Sequence, residues 1–243
     1  MRRRFFVDEI RDGQAHLAGD DARHLTKVLR VEVGQKFEIS DNRNAYLAEI
    51  EAAHKGDVSF RVVEQLPAEA PRVHMTLCAA IYKFDHFEWM VEKATELGVA
   101  EIVPVHAART ESGLEKAAEK RTERWRRIAL EASQQCRRTH VPVITKVLTL
   151  GEALARPATY RYVLDENASG TTLASALPAQ RSVEDSVAVL IGPEGGWTDA
   201  ERGQFMSAWS PPWVPVSMGP LILRAETAAI SALAVVGNAW LER

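Results

Sequence analysis

The spacing of apolar positions divides the chain into two regions of different character. Up to about residue 70 the pattern is short and alternating. Val31–Ile39 has period-2 alternation, Tyr46–Ile50 repeats it, and Val58–Val63 is strand-like. Asp41–Asn44 and Lys55–Asp57 are turn-like breaks, and a short helix from about Ala22 to Leu29 precedes the first of these strands. A small β-barrel-like module is predicted here. Pro67–Pro71, with two prolines around small and polar residues, is the linker candidate. From residue 72 the runs lengthen. Val73–Ala80 is a buried-type strand. Phe87, Met90, Val91, Ala94 and Leu97 then keep helical spacing, with Gly98 as a C-cap. Glu101–Val105 is the next strand and Glu115–Cys136 a long helix. Val141–Leu148, Tyr160–Leu164, Val187–Ile191 and Val214–Met218 are further strands, before a mostly apolar helix from Glu226 to Leu241. Strands alternating with helices predict an α/β region whose largely parallel sheet is covered on both faces. The predicted domains are 1–70 and 71–243.

Two loops carry the candidate chemistry. Ile191–Trp197 (IGPEGGW) follows a strand, and Thr198 with Glu201 forms a capping box that starts the next helix. A tight turn needing positive φ explains a glycine loop equally well. Three glycines around Pro193 and Glu194 shift the balance modestly toward a ligand loop. In the second loop, Leu221, Ile222 and Leu223 are apolar although they connect a strand to a helix. Such loops are normally polar and superficial, so this one is expected to be buried: against the core, in a dimer interface, or as the wall of an adenine pocket. Arg224 and Glu226 flank the start of the last helix. As a surface ion pair they would contribute little; beside an apolar loop they are candidates for substrate handling. Both loops lie where a strand gives way to a helix, and open α/β sheets bind ligands at the carboxyl ends of their strands. There is no P-loop lysine and no G-x-G-x-x-G, so a small organic cofactor is expected rather than nucleotide phosphates.

The net charge of −3 argues against a generic polyanion binder, but binding follows the field of a local patch. Much of the charge on the long helix reads as i, i+4 pairing, such as Glu119 and Glu123 with Arg127. Arg137 and Arg138, in an acid-free stretch at its end, stand out. So do Arg2, Arg3 and Arg4 beside Phe5 and Phe6, a basic–aromatic spot of the kind that contacts nucleic acid, with His24, Lys27 and Arg30 in the first short helix. Together they point to RNA as a partner. The two cysteines, Cys78 and Cys136, are far apart, the histidines show no ligand spacing, and no metal is assigned. No apolar run reaches about 18 residues and the basic start lacks the apolar core of a signal peptide, so a cytoplasmic protein without membrane contact is expected.

Several of these segments also carry a resemblance. Gly192–Gly196, Met218–Ala229, Glu92–Val99 (EKATELGV) and Arg124–Ala132 (RWRRIALEA) resemble the bacterial small-subunit ribosomal RNA uridine-N3 methyltransferases, of the SPOUT class. His24–Arg30 is similar to the family's amino-terminal PUA-like module. Leu221 departs from the basic residue of many members. The resemblance spans nearly the whole chain and implies a PUA-like barrel followed by a SPOUT-type parallel sheet with a C-terminal trefoil knot. It implies S-adenosylmethionine as cofactor, a homodimer, and small-subunit (16S) ribosomal RNA as partner, free or in the assembled subunit. The implied cofactor contacts are Leu164, Gly192, Gly195, Gly196, Met218, Gly219, Leu221 and Leu223. In the implied reaction Arg224 would stabilise the uracil oxygens, and Glu194 or Glu226 would accept the N3 proton. N3 lies on the pairing edge, so the target must be unpaired or flipped out. Alternatives are a SPOUT methyltransferase for another nucleotide and a non-catalytic RNA-binding ribosome assembly factor. A dinucleotide-dependent oxidoreductase is disfavoured, because its fingerprint loop is missing.

Overall fold

The computed structural model describes residues 3–68, 72–168 and 170–241. Arg2 and the last three residues of the linker candidate, 69–71, lie outside the described residues. Two compact units are present. One comprises Met1–Ala70 together with Glu131–Val141, the other Pro71–Leu130 together with Pro142–Arg243.

The first unit contains β1 (Arg4–Phe6), β2 (Ile10–Arg11), β3 (Gln14–Ala18), α1 (Gly19–Arg23), β4 (Lys36–Ser40), β5 (Ala45–His54) and β6 (Asp57–Gln65). They form one sheet in the order β1-β4-β5-β6-β3-β2, parallel between β1 and β4 and antiparallel elsewhere. It is a curled half-barrel. Alternate residues of the strands turn inward, so Phe5, Ala15, Leu17, Ile39, Ile50, Val58 and Phe60 make one core, joined by Ala22 and Leu25. The expected short helix is composite. After α1 it widens over His24–Val28 into a π-helical turn, with Leu29 N–H donating to the His24 carbonyl at 3.0 Å. Residues 31–35 are not part of a strand, and Val33 is 67% exposed. The β2–β3 hairpin turns through Asp12 and Gly13, both at positive φ, as a two-residue primed turn requires.

The second unit alternates strands and helices. Its elements are β7 (His74–Ala80), α2 (Phe84–Glu96), β8 (Glu101–His106), α3 (Leu114–Cys136, of which Glu131 onward groups with the first unit), β9 (Val143–Ile144), β10 (Leu148–Thr149), α4 (Leu150–Leu154), β11 (Tyr160–Leu164), α5 (Leu173–Ala176), β12 (Ser186–Ile191), α6 (Asp199–Phe205), β13 (Trp213–Val216) and α7 (Ala225–Ala239). The sheet order is β10-β8-β7-β12-β11-β13, with β9 also on β8, and its pairings are parallel. The strand expected over Val141–Leu148 is thus two short pieces on one edge. Ile144 pairs with Ile102 and Leu148 with Val105, so the outer chain carries one extra residue and bulges. On one face Ala188, Leu190, Val103, Val163, Trp197 and Phe205 share a core with α4. On the other, α7 packs against α2, β7 and β12. Its buried Ala228, Ala229 and Ala232 allow close approach, and Leu233 and Val236 fill the space around them.

The last crossing positions the site. β13 lies at the sheet edge beyond β11, yet α7 lies over β12 and β7. The chain after β13 therefore returns past the carboxyl end of β11. There it is bonded to the segment that follows β11: Asp165 N–H to Val216 O at 3.1 Å, Ser217 N–H to Thr171 O at 2.9 Å, and Leu173 N–H to Ser217 O at 2.8 Å.

Candidate cofactor and substrate site

The carboxyl ends of β11, β12 and β13 surround a cavity of about 680 Å³. That is the place where a parallel sheet can present several loops to one ligand. The first wall is the turn after β11. Asp165 is buried there, and Arg202 of α6 grips it with two bonds of 3.0 Å, Nε to Oδ2 and Nη2 to Oδ1. Nη2 also donates to Glu166 Oε1 at 3.0 Å and Nη1 to the Trp197 carbonyl at 2.8 Å. The hydrogen bonds to Asp165 raise the Arg202 pKa further above its ordinary value, so one fixed cation ties the loop after β11 to the loop after β12.

The second wall is Gly192–Trp197. Trp197 is fully buried and its Nε1 donates to the Leu164 carbonyl at 2.9 Å. Gly196 N–H closes a turn onto the Pro193 carbonyl at 2.8 Å, and Arg109 Nη1 donates to the Gly195 carbonyl at 2.7 Å. The capping box at Thr198 is present as the spacing predicts. These bonds explain the glycines. A Cβ on Gly192 would lie 3.0 Å from the Trp197 indole, and one on Gly196, which has φ +69°, would lie 2.5 Å from Glu166 Oε1. Bare backbone is what fits between these side chains and the cavity.

The third wall is Ser217–Arg224. Of the three expected coverings the core is removed: Leu221 is 77% and Ile222 87% exposed, and only Leu223 is half-buried. They form the outer rim of the cavity and do not pack into the core. Arg224 and Glu226 part company as well. Arg224 is exposed on the cavity lining at the N-cap of α7, whereas Glu226 is buried behind it. Glu226 Oε1 instead meets His86 Nδ1 at 3.0 Å. Leu164, Gly192, Glu194, Gly195, Gly196, Met218, Gly219, Leu221, Leu223 and Arg224 all line the cavity; Glu226 reaches it through His86.

Sequence reasoning missed a fourth wall. Lys83 and His86, at the junction of β7 and α2, also line the cavity. Placing the helix start at Phe87 left them out. The rule that favours the carboxyl ends of β11 and β12 applies equally to β7, the other neighbour of β12. The Tyr82 hydroxyl beside them is buried and unpartnered among the described residues. Burial pushes its pKa well above the ordinary value, and the charges of Glu226 and Glu194 push it the same way, so it stays a protonated phenol.

The basic residues of the first unit divide. Arg3, Lys27 and Arg30 are exposed and His24 is half-buried, with Val28 (66% exposed) and Leu29 beside them. Arg4 is corrected. It is buried, donating from Nε and Nη2 to Glu38 at 3.2 and 3.0 Å and from Nη1 to Thr139 Oγ1 at 3.0 Å. It serves the core of the unit, not an RNA surface. Arg137 shares Glu38, and Arg138 Nε donates to the His140 carbonyl at 3.0 Å. On the long helix, Arg121 and Arg124 reach beyond their own helix. They converge on Glu88 of α2, at 2.7 and 2.8 Å. Among the described residues, no group of three or more His, Cys, Asp or Glu is arranged to hold a metal ion, and no helix is long and apolar enough to cross a membrane.

An RNA methyltransferase domain family matches residues 68–237 and an RNA methyltransferase PUA domain family matches residues 17–63. The ribosomal RNA small subunit methyltransferase E of Bacillus subtilis is 30% identical over 90% of this chain and 88% of its own length. The chain belongs to the ribosomal RNA small subunit methyltransferase E family. The family member of Synechocystis is 31% identical over 97% of this chain and 76% of its own length. A crystal structure of the family's Neisseria gonorrhoeae enzyme, bound to S-adenosyl methionine, superposes with a TM-score of 0.85 at 27% identity, covering 99% of this chain and 98% of that one. A Legionella pneumophila protein in complex with bound cofactor SAM gives 0.86 at 28% identity, with 98% of each chain covered. The PUA-like half-barrel followed by a SPOUT-type parallel sheet is the architecture of this methyltransferase family.

Proposed function

We propose that the protein transfers a methyl group from S-adenosylmethionine to N3 of a uridine in 16S ribosomal RNA. The observation that carries the reading is the cavity at the carboxyl ends of β11, β12 and β13. Its walls at Gly192 and Gly196 stand so close to Trp197 and Glu166 that an added Cβ would meet those side chains. A cavity of about 680 Å³ lies within the range that takes a ligand of cofactor size. Leu164, Gly192, Gly195, Gly196, Met218, Gly219, Leu221 and Leu223 would hold the methionine and adenosine parts of the cofactor. The bound sulfonium supplies an electrophilic methyl group, its sulfur keeping the bonding pair when the methyl leaves.

The protein's share is to position a uracil and manage its charge. As its proton leaves, the ring becomes anionic at its oxygens, and Arg224 on the lining supplies the compensating cation. Glu194, also on the lining, is the alternative charged neighbour. Residues 1–70 form the proposed PUA-like RNA-binding domain and 71–243 the catalytic domain. Arg3, Lys27, Arg30 and His24 are its candidate contacts, with Arg137 and Arg138; Arg2 lies outside the described residues. Such contacts position RNA by its phosphates, while the unpaired base is read in the cavity. The reading includes a C-terminal trefoil knot, a homodimer with the exposed Leu221–Ile222 rim near its interface, and a cytoplasmic location.

The test supplies isotopically labelled S-adenosylmethionine with small ribosomal subunits lacking the modification, and separately with their stripped RNA. Nucleosides are then resolved by mass spectrometry. Label in N3-methyluridine is the expected result, and the better substrate tells whether RNA or subunit is recognised. Label in another nucleoside overturns the N3 assignment. Cofactor binding without label from either substrate favours the non-catalytic assembly role.

A further inference from the structure

The site holds an imidazole that sequence reasoning passed over and that no family feature introduced above requires. His86 lines the cavity, in the first turn of α2, and its Nδ1 lies 3.0 Å from Oε1 of Glu226. Glu226 comes from α7 and is 7% exposed. A carboxylate only accepts, so Nδ1 carries the proton in the neutral ring and Nε2 keeps its lone pair. Asp85 Oδ2 is 3.8 Å from Nε2, the Tyr82 hydroxyl is protonated, and the other titratable and charged groups on the same lining are Lys83, Asp165, Glu166, Glu194 and Arg224.

We infer that His86 is the proton acceptor for the reacting base and that Glu226 is its positioning residue. The inference rests on the proposed uridine N3 chemistry and names the group that chemistry lacks. The two carboxylates considered for the task are less suited. Glu194 is exposed, and a solvated carboxylate is a weak base for an N–H whose pKa lies above neutral. Glu226 is buried behind His86 and does not line the cavity. An imidazole is the side chain whose ordinary pKa lies near operating pH. As N3 bonds to the methyl carbon, its proton moves to Nε2 of His86. The resulting imidazolium faces the Glu226 carboxylate through Nδ1–H, and the ring later returns the proton to water. Proton count and charge balance: one N–H bond breaks, one forms at Nε2, and the new N–C bond uses the N3 pair.

The experiment uses the full chain with the methylation assay above, and measures S-adenosylmethionine Kd by calorimetry alongside. For His86→Gln, kcat should fall on the order of 100-fold or more while the Kd is unchanged. The deficit should shrink as pH rises, because N3 ionises unaided and no longer needs an acceptor. His86→Ala should lose activity likewise and regain part of it with added imidazole, and Glu226→Gln should lower kcat less than His86→Gln. Wild-type kcat in His86→Gln, or a deficit that is the same at every pH with no imidazole rescue, overturns the inference and leaves the proposed function standing. A wild-type protein that makes no N3-methyluridine overturns both, and that result appears before any variant is made.

Discussion

The two glycine-bearing loops of the cavity differ in how they are held. Gly192–Trp197 is bound on every side: by its own turn, by Arg109, by Arg202, and by the buried Trp197 indole on the Leu164 carbonyl. Gly219–Leu223 makes no comparable hydrogen bonds among the described residues, and it turns Leu221 and Ile222 toward solvent. A loop bound in this way is shaped before any ligand arrives, which lowers the ordering cost of binding. A loop with exposed apolar side chains gains most from what it touches afterwards. The first is therefore expected to set stability and cofactor affinity together, and the second to set turnover with little effect on stability.

The largest effect tests the first half of that contrast. Arg202→Ala removes the cation shared by Asp165, Glu166 and the Trp197 carbonyl and leaves Asp165 buried and unpaired. A loss of about 3 kcal/mol is expected, at the low end for a broken buried pair because Arg202 is partly exposed. Thermal unfolding and calorimetric cofactor titration should fall together. Unchanged cofactor affinity in a destabilised protein would show that the rigidity of this wall is incidental to binding.

Gly192→Ala comes next. Its Cβ would sit 3.0 Å from an indole that is fully buried and bonded, so the indole or the loop must shift. Overpacking of that kind costs about 1–3 kcal/mol. The same change at the already exposed Gly203, where a Cβ meets open space, is the control and should be neutral or slightly stabilising. If both behave alike, close approach does not explain the glycine at 192.

A smaller effect lies outside both loops and sharpens the contrast by leaving them alone. Burial works to raise the Glu88 pKa, but the Arg124 and Arg121 guanidiniums outweigh it and hold the carboxyl below its ordinary value. A depressed folded-state pKa contributes stability that is present above the unfolded carboxylate pKa. That contribution is lost as pH falls through this range to the folded value. Glu88→Gln should therefore cost about 1 kcal/mol at neutral pH, discounted because both arginines are substantially exposed, and should flatten the acid limb of the stability curve. Cofactor affinity should not move.

The contrast between the loops was partly written in the chain. Glycine spacing and the Thr198–Glu201 capping box located the tied loop, and Tyr160–Leu164 is a strand over its expected span, because local signals suffice for both. The bonds that tie the loop were not legible. Arg202 and Asp165 are 37 residues apart, and nothing in either neighbourhood names the other. His86 and Glu226, 140 apart, meet only because α7 packs beside α2. The same applies to Arg4, which reads as one of three surface arginines until Glu38 and Thr139 close around it. The Asp12-Gly13 turn is different. The dipeptide is a strong local hairpin signal, but its flanking strands are too short to show alternation. Apolar Leu221–Leu223 left the core, a dimer interface and a ligand pocket open, and the structure removes only the core, because a preference for burial says that a surface will be covered, not that the same chain covers it.

That last point makes Ile222 the most discriminating position. At 87% exposed it contributes almost nothing to the folded chain, so Ile222→Ser should leave thermal stability within about 0.5 kcal/mol of wild type. Cofactor affinity should change only slightly, because Ile222 lies on the outer rim. If the rim is completed by the RNA target or by a second copy of the chain, the substitution should lower kcat/KM for methyl transfer by about tenfold or more, since burying an isoleucine side chain is worth about 1.5–3 kcal/mol. Sedimentation of wild type and variant separates the two: a proposed wild-type dimer that weakens in the variant places the contact between copies, and unchanged sedimentation with raised KM places it on RNA. A marked fall in thermal stability with unchanged sedimentation would mean that the rim is held within the chain after all, and the distinction between the two loops would fail.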